Sequence, residues 1–99
     1  MKLVYTEQAL IGLDATLEFL AKNVTNVKLI AISNRILDTS EELLKQPFMG
    51  QEEPLLEYLR SGHRRLIVGH CKIIYKVVDE YIYITDIFDS RQDPDKMKG

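Results

Sequence analysis

The stretch HRRLIVGHCKIIYKVVDEYIYITDIFDSR, from His63 to Arg91, decides the fold. It reads as three consecutive antiparallel strands with tight turns at Gly69-His70 and Asp79-Glu80. The segments between the turns are rich in Ile, Val and Tyr, which suit a pleated, half-buried surface. Two-residue loops fix which residues lie opposite each other. Val77 then faces Ile82, Tyr75 faces Ile84, Val68 faces Cys71 and Leu66 faces Ile73. One face collects Leu66, Val68, Cys71, Ile73, Tyr75, Val77, Ile82, Ile84 and Phe88, and is expected to be the core face. The other collects His63, Arg65, Ile67, Lys72, Ile74, Lys76, Tyr81, Tyr83, Thr85 and Ile87, a cationic, aromatic and half-wet surface. Arg64 and Asp86 fall on the core face as misfits. They require either pairing at its rim or a local slip of register at a bulge.

Upstream, residues 2–5 (KLVY) read as a short first strand. Thr6 is placed to cap a helix, with Glu7 favourable in its first turn. Leu10, Leu13, Leu17 and Leu20 follow at helical spacing, and the helix is expected to end near Asn23. Thr25 caps a second helix running to about Lys45 by the same signal. Its apolar positions, Val27, Leu29, Ile30, Ile32, Ile36, Leu37, Leu43 and Leu44, cover more than half of a helical wheel. So broad an arc predicts packing on both the first helix and the sheet. Residues 46–62 form a connector punctuated by Pro47, Gly50 and Pro54, with EPLLEYLRSG partly extended. A polar tail, QDPDKMKG, follows Arg91, with a turn of helix expected to start at Pro94. The order β-α-α-β-β-β gives an α+β fold, with two helices on one face of an antiparallel sheet and the opposite face open.

With 99 residues the chain reads as one domain, 1–99. Its formal net charge of -2 argues against general nucleic-acid affinity, while leaving room for a local basic patch. A single Cys, Cys71, precludes an internal disulfide and reads as a small buried hydrophobe. No signal peptide or long apolar run is evident, which makes a soluble cytoplasmic protein without membrane contact the expectation. Neither a CxxC nor an HxxxH spacing occurs, nor a glycine-rich phosphate loop, so no metal or cofactor is expected. The surface with chemical promise is the cationic face. Arg65, Lys72 and Lys76 share it with Tyr81 and Tyr83, and Arg91 lies just past the last strand. Cations beside aromatic rings suit RNA or a charged partner.

The order of these elements resembles the RelE/ParE superfamily of toxins from type II toxin–antitoxin, or plasmid stabilisation, systems. RSGHRRLIVGHCKIIYKV and IYITDIFDSRQDP are similar to that family's central hairpin and to its final strand with a trailing arginine. The resemblance implies a cognate antitoxin as partner, and a growth-inhibiting target that is either DNA gyrase, for ParE-like members, or mRNA on the ribosome, for RelE-like endoribonucleases. Arg65 matches the family's strand arginine and Arg91 the one after the last strand. Gly50-Gln51-Glu52-Glu53-Pro54-Leu55 is similar to the G-x-x-E-P-L stretch of YoeB-like nucleases, where the glutamate is the general base, a role that would fall to Glu53. The resemblance thus implies Arg65, Arg91 and Glu53 as catalytic residues if the chain is an enzyme. Lys72, Lys76, Tyr81 and Tyr83 form the partner or RNA-binding face. The tail carries neither the His nor the Tyr usual in the RNA-cutting members, and the chain is acidic where those tend to be basic. The ParE-like, gyrase-binding reading is therefore preferred. An mRNA endoribonuclease, or a weakened toxin that retains mainly antitoxin binding, is the alternative.

Overall fold

The computed structural model describes residues 1–92, 95 and 97. The elements in chain order are β1 (Lys2–Tyr5), α1 (Glu7–Leu20), α2 (Asn26–Glu41), β2 (Gln51–Glu52), β3 (Arg64–Val68), β4 (Cys71–Val78) and β5 (Tyr81–Asp89). A 3-10 turn, Glu42–Leu44, extends α2, and a 3-10 helix, Pro54–Leu59, follows β2. The strands form one sheet in the order β1-β5-β4-β3-β2, with β1 parallel to β5 and the other pairs antiparallel. The expected α+β architecture is present, with β2 added as a two-residue edge strand. The helical turn expected at Pro94 lies outside the described residues.

Local chemistry explains the boundaries. Thr6 and Thr25 are extended, and their hydroxyls accept from the amides of Ala9 and Lys28, so both helices start where a side chain satisfies an orphan amide. Both turns are two-residue loops, with Val68 paired to Cys71 and Val78 to Tyr81. The first loop residue is left-handed in each, Gly69 at φ +60° and Asp79 at φ +53°. Glycine takes that conformation freely and Asp with small cost.

Ile73, Tyr75, Ile82 and Ile84 are fully buried, and they join Ala9, Leu13 and Leu20 of α1 and Ile36 of α2 in the main core. The Tyr75 hydroxyl is used as well, accepting from the Gly50 amide at 2.9 Å. A Cβ on Gly50 would lie 2.7 Å from that oxygen and 2.6 Å from the Arg65 carbonyl, so the β2 approach requires glycine there.

Three expectations are corrected. First, β5 carries an extra residue. Tyr75 pairs with Ile84 but Ile74 pairs with Asp86, which leaves Thr85 as a bulge. Beyond it the two apolar residues exchange faces. Ile87 enters the main core, and Phe88 moves to the opposite face. Asp86 pairs with Ile74 after the slip, and its carboxylate, which accepts from the Ile87 amide at 2.8 Å, lies against Gly12 of α1. Arg64 sits at the rim, donating to the Gly50 carbonyl at 2.7 Å with its guanidinium over the Phe48 ring.

Second, the outer sheet face is half covered. Pro54–Leu59 is 3-10 rather than extended, and its Leu56 forms a second small core with Ile74, Phe88 and Met97. Ile74 is therefore buried, while Ile67 is exposed as expected.

Third, α2 does not use its whole apolar arc. Val27 is 80% and Ile30 62% exposed, so the helix lies on the core through Ile36 with Leu29, Ile32 and Leu37 beside it. Among the described residues, no helix is long and apolar enough to cross a membrane.

Candidate functional site

The outer face holds a buried ion cluster. Glu53 follows β2, and its amide donates to the His63 carbonyl at 2.9 Å, which ties the strand end to the segment before β3. Glu53 then caps the 3-10 helix, its Oε1 accepting from the Leu55 amide at 3.3 Å. Its side chain is 0% exposed, and two cations reach it from neighbouring strands. Arg65 Nη1 of β3 donates to Oε2 at 3.1 Å, and Lys72 Nζ of β4 donates to Oε1 at 3.1 Å. Arg65 Nη1 also reaches the Glu52 carbonyl at 3.3 Å. The cations are 22% and 17% exposed, so the cluster is shielded from water on most sides. A carboxylate this buried persists only when both oxygens are paired, and here both are. A hollow of about 460 Å³ opens beside it, lined by Glu52, Pro54, Arg60, His63 and Arg65 among others.

Arg91 belongs to a different environment. It lies just past β5 on the helix side, with its guanidinium 5.8 Å from the Phe19 ring centre of α1. Asp89 grips it as a fork, accepting from Nε at 3.1 Å and Nη2 at 2.9 Å, and from the Arg91 amide at 2.9 Å. Burial of Asp89 works against its charge, yet the Arg91 contacts outweigh it and hold the carboxyl below the usual 3.8. Next to this fork, burial and the Asp89 charge push the Cys71 thiol up to about 11, so it stays protonated and inert. The fork borders a cleft of about 370 Å³ with an apolar floor that includes Ile32 and Val68, and with Lys28 and Arg35 also lining it.

The Asp89 fork makes a pH-dependent contribution to stability. A carboxylate with a depressed folded-state pKa stabilises fully above its unfolded value and loses that contribution as pH falls through the folded value. Asp89→Asn should therefore lower the urea midpoint of unfolding at neutral pH. The gap to the parent chain should narrow once the pH drops well below 3.8. A gap that is constant from neutral to acid pH would show that the ion pair contributes nothing.

The structure thus brings Glu53 and Arg65 together and does not bring Arg91 to them. Lys72 joins the pair, a contact the sequence offered no local signal for, because its partner is nineteen positions away. The Asp89–Arg91 fork did have a signal, an Asp two residues before an Arg at a strand end, where side-chain turns form. Lys76, Tyr81 and Tyr83 lie along the outer face toward the Asp79-Glu80 turn, with Lys76 directly opposite Tyr83. Among the described residues, no three His, Cys, Asp or Glu side chains converge as a metal site.

The sequence pattern of the family described as "ParE toxin of type II toxin-antitoxin system, parDE" matches residues 3–94. Among solved structures, a chain of the chromosomal ParDE toxin–antitoxin system from P. aeruginosa superposes with a TM-score of 0.72. It is 20% identical, and the match covers 90% of this chain and 95% of that one, which shows a shared fold. No curated protein sequence matches. A family match over nearly the whole length, together with a shared fold, means that this chain belongs to the ParE toxin family of type II toxin–antitoxin systems.

Proposed function

We propose that this protein is the toxin of a toxin–antitoxin pair, held inactive by a cognate antitoxin, and that it arrests growth by binding DNA gyrase rather than by cutting mRNA. The observation that carries the preference is the state of Glu53. A general base needs an oxygen free to take the 2′-hydroxyl proton, within hydrogen-bond reach of the substrate. Both Glu53 oxygens are engaged by Arg65 and Lys72 inside the fold. Arg65, one of the two arginines that would stabilise a phosphate, is occupied by the same carboxylate. Arg91 is held by Asp89 beside α1, away from that cluster. This arrangement supports a scaffold role for the triad.

Induction of the toxin without its antitoxin tests the proposal. Translated messages should remain intact while gyrase-dependent DNA breaks accumulate. Cuts inside coding regions of translated messages, abolished by Glu53→Gln in a folded protein, would overturn it.

A further inference from the structure

The uncovered half of the outer sheet face has an order of its own. Two rows follow from the strand register. One is Lys2, Tyr81 and Val78, and the next is Val4, Tyr83 and Lys76. β5 is the middle strand of the three, so both tyrosines stand on the central strand and one lysine stands on each flank. The tyrosine rings stack with centroids 5.7 Å apart and planes 29° apart. Tyr81 is 40% exposed and Tyr83 half-buried, with Val78 exposed beside them. Beside Tyr83 lies a hollow of about 460 Å³ lined by Thr6, Gln8, Lys76, Val78, Tyr83 and Thr85. Lys72, on the same face, is excluded from this group because it is bound to Glu53.

We propose that this half-face is a stacking platform for single-stranded nucleic acid. Bases lie on Tyr81 and Tyr83, and the backbone phosphates pass Lys2 and Lys76. Aromatic side chains on an open sheet accept any base, because every base has a π-face, and flanking cations neutralise the strand. The hollow is lined by residues with hydroxyl, amide and ammonium groups, which match the hydrogen-bonding edge of a base. A protein partner would instead favour a dry apolar pocket at the centre of its contact. Asp79 and Glu80 in the adjoining turn, with the net charge of -2, keep the electrostatic share small. Binding is therefore driven by stacking and only weakly by salt-sensitive contacts. The proposal is independent of the gyrase reading, since Lys2, Lys76, Tyr81 and Tyr83 take no part in the Glu53 ion pairs.

The test is fluorescence anisotropy of the purified full chain with a labelled oligodeoxythymidine of about ten nucleotides, within the site sizes of sheet-based binders. Saturable binding is expected, weaker for a duplex of equal length. Tyr81→Ala and Tyr83→Ala should each weaken it roughly 5- to 150-fold, the usual loss of one stacked base. Tyr81→Phe and Tyr83→Phe should retain it, which separates stacking from hydroxyl contacts and from misfolding. Two lysine–phosphate contacts give a slope of about -1.4 in log K against log salt, and Lys76→Gln should reduce it to about half. The proposal is overturned if the parent chain does not bind the oligonucleotide, or if the alanine variants bind equally well. It is also overturned if those variants lose only the antitoxin, which would make the face a protein interface.

Discussion

Replacing Ile84 with Asp is expected to abolish folding. Ile84 is 0% exposed, and its neighbours in register are Tyr5 on β1 and Tyr75 on β4. It therefore lies at the middle of the three best-paired strands, beneath α1. Two costs add. Removing a buried Ile side chain costs about 2–5 kcal/mol. Burying an unpaired carboxylate costs several kcal/mol more. Domains of this size have about 5–15 kcal/mol in total, so the sum consumes most or all of it. The variant should show no cooperative urea transition. Ile67→Asp supplies the control. Ile67 is 57% exposed on the outer face, so its substitution should shift stability by about 0.5 kcal/mol or less. A cooperative, folded Ile84→Asp protein would contradict the assigned register.

The second large effect is at Glu53. Removing its carboxylate leaves Arg65 and Lys72 facing each other with no compensating charge. Breaking one side of a buried ion pair typically costs about 3–5 kcal/mol, because the remaining charge is stranded. The partial exposure of both cations places Glu53→Ala toward the lower end of that range. It also removes the cap on Pro54–Leu59, so the Leu56 cluster should loosen. Urea unfolding measures the loss. Combining Glu53→Ala with Arg65→Met and Lys72→Met should restore most of it, since no charge is then left unpaired. The experiment separates the two chemical roles. A scaffold carboxylate costs stability when removed. A catalytic base costs turnover at unchanged stability. A Glu53→Ala chain with an unshifted midpoint would sink the scaffold assignment.

The meander and its register up to Tyr75 and Ile84 were legible because alternation and two-residue turns are local signals. The bulge at Thr85 was not. Ile87 and Phe88 are both apolar, so moving them across the sheet leaves the hydropathy pattern unchanged. Only Asp86, polar on the core face, pointed to a slip. PLLEYL was ambiguous for a related reason. Six residues with no clear period fit a strand or a turn of helix, and contact with Ile74 and Phe88 decides between them. At the site, Glu53 came from resemblance and Arg65 and Lys72 from the alternation of the cationic face, while the contact among the three arises from cross-strand geometry. Arg91 had the same family signal as Arg65, yet Asp89 and Phe19 hold it on the other side. A motif names residues; the fold decides which of them meet.

The central claim, that growth arrest runs through gyrase, is tested most directly by supercoiling of relaxed plasmid with purified gyrase and the folded chain. Supercoiling should be inhibited and cleaved plasmid should accumulate as the chain is titrated, with relief on adding the antitoxin. Unimpeded supercoiling at a molar excess of folded toxin would contradict the account.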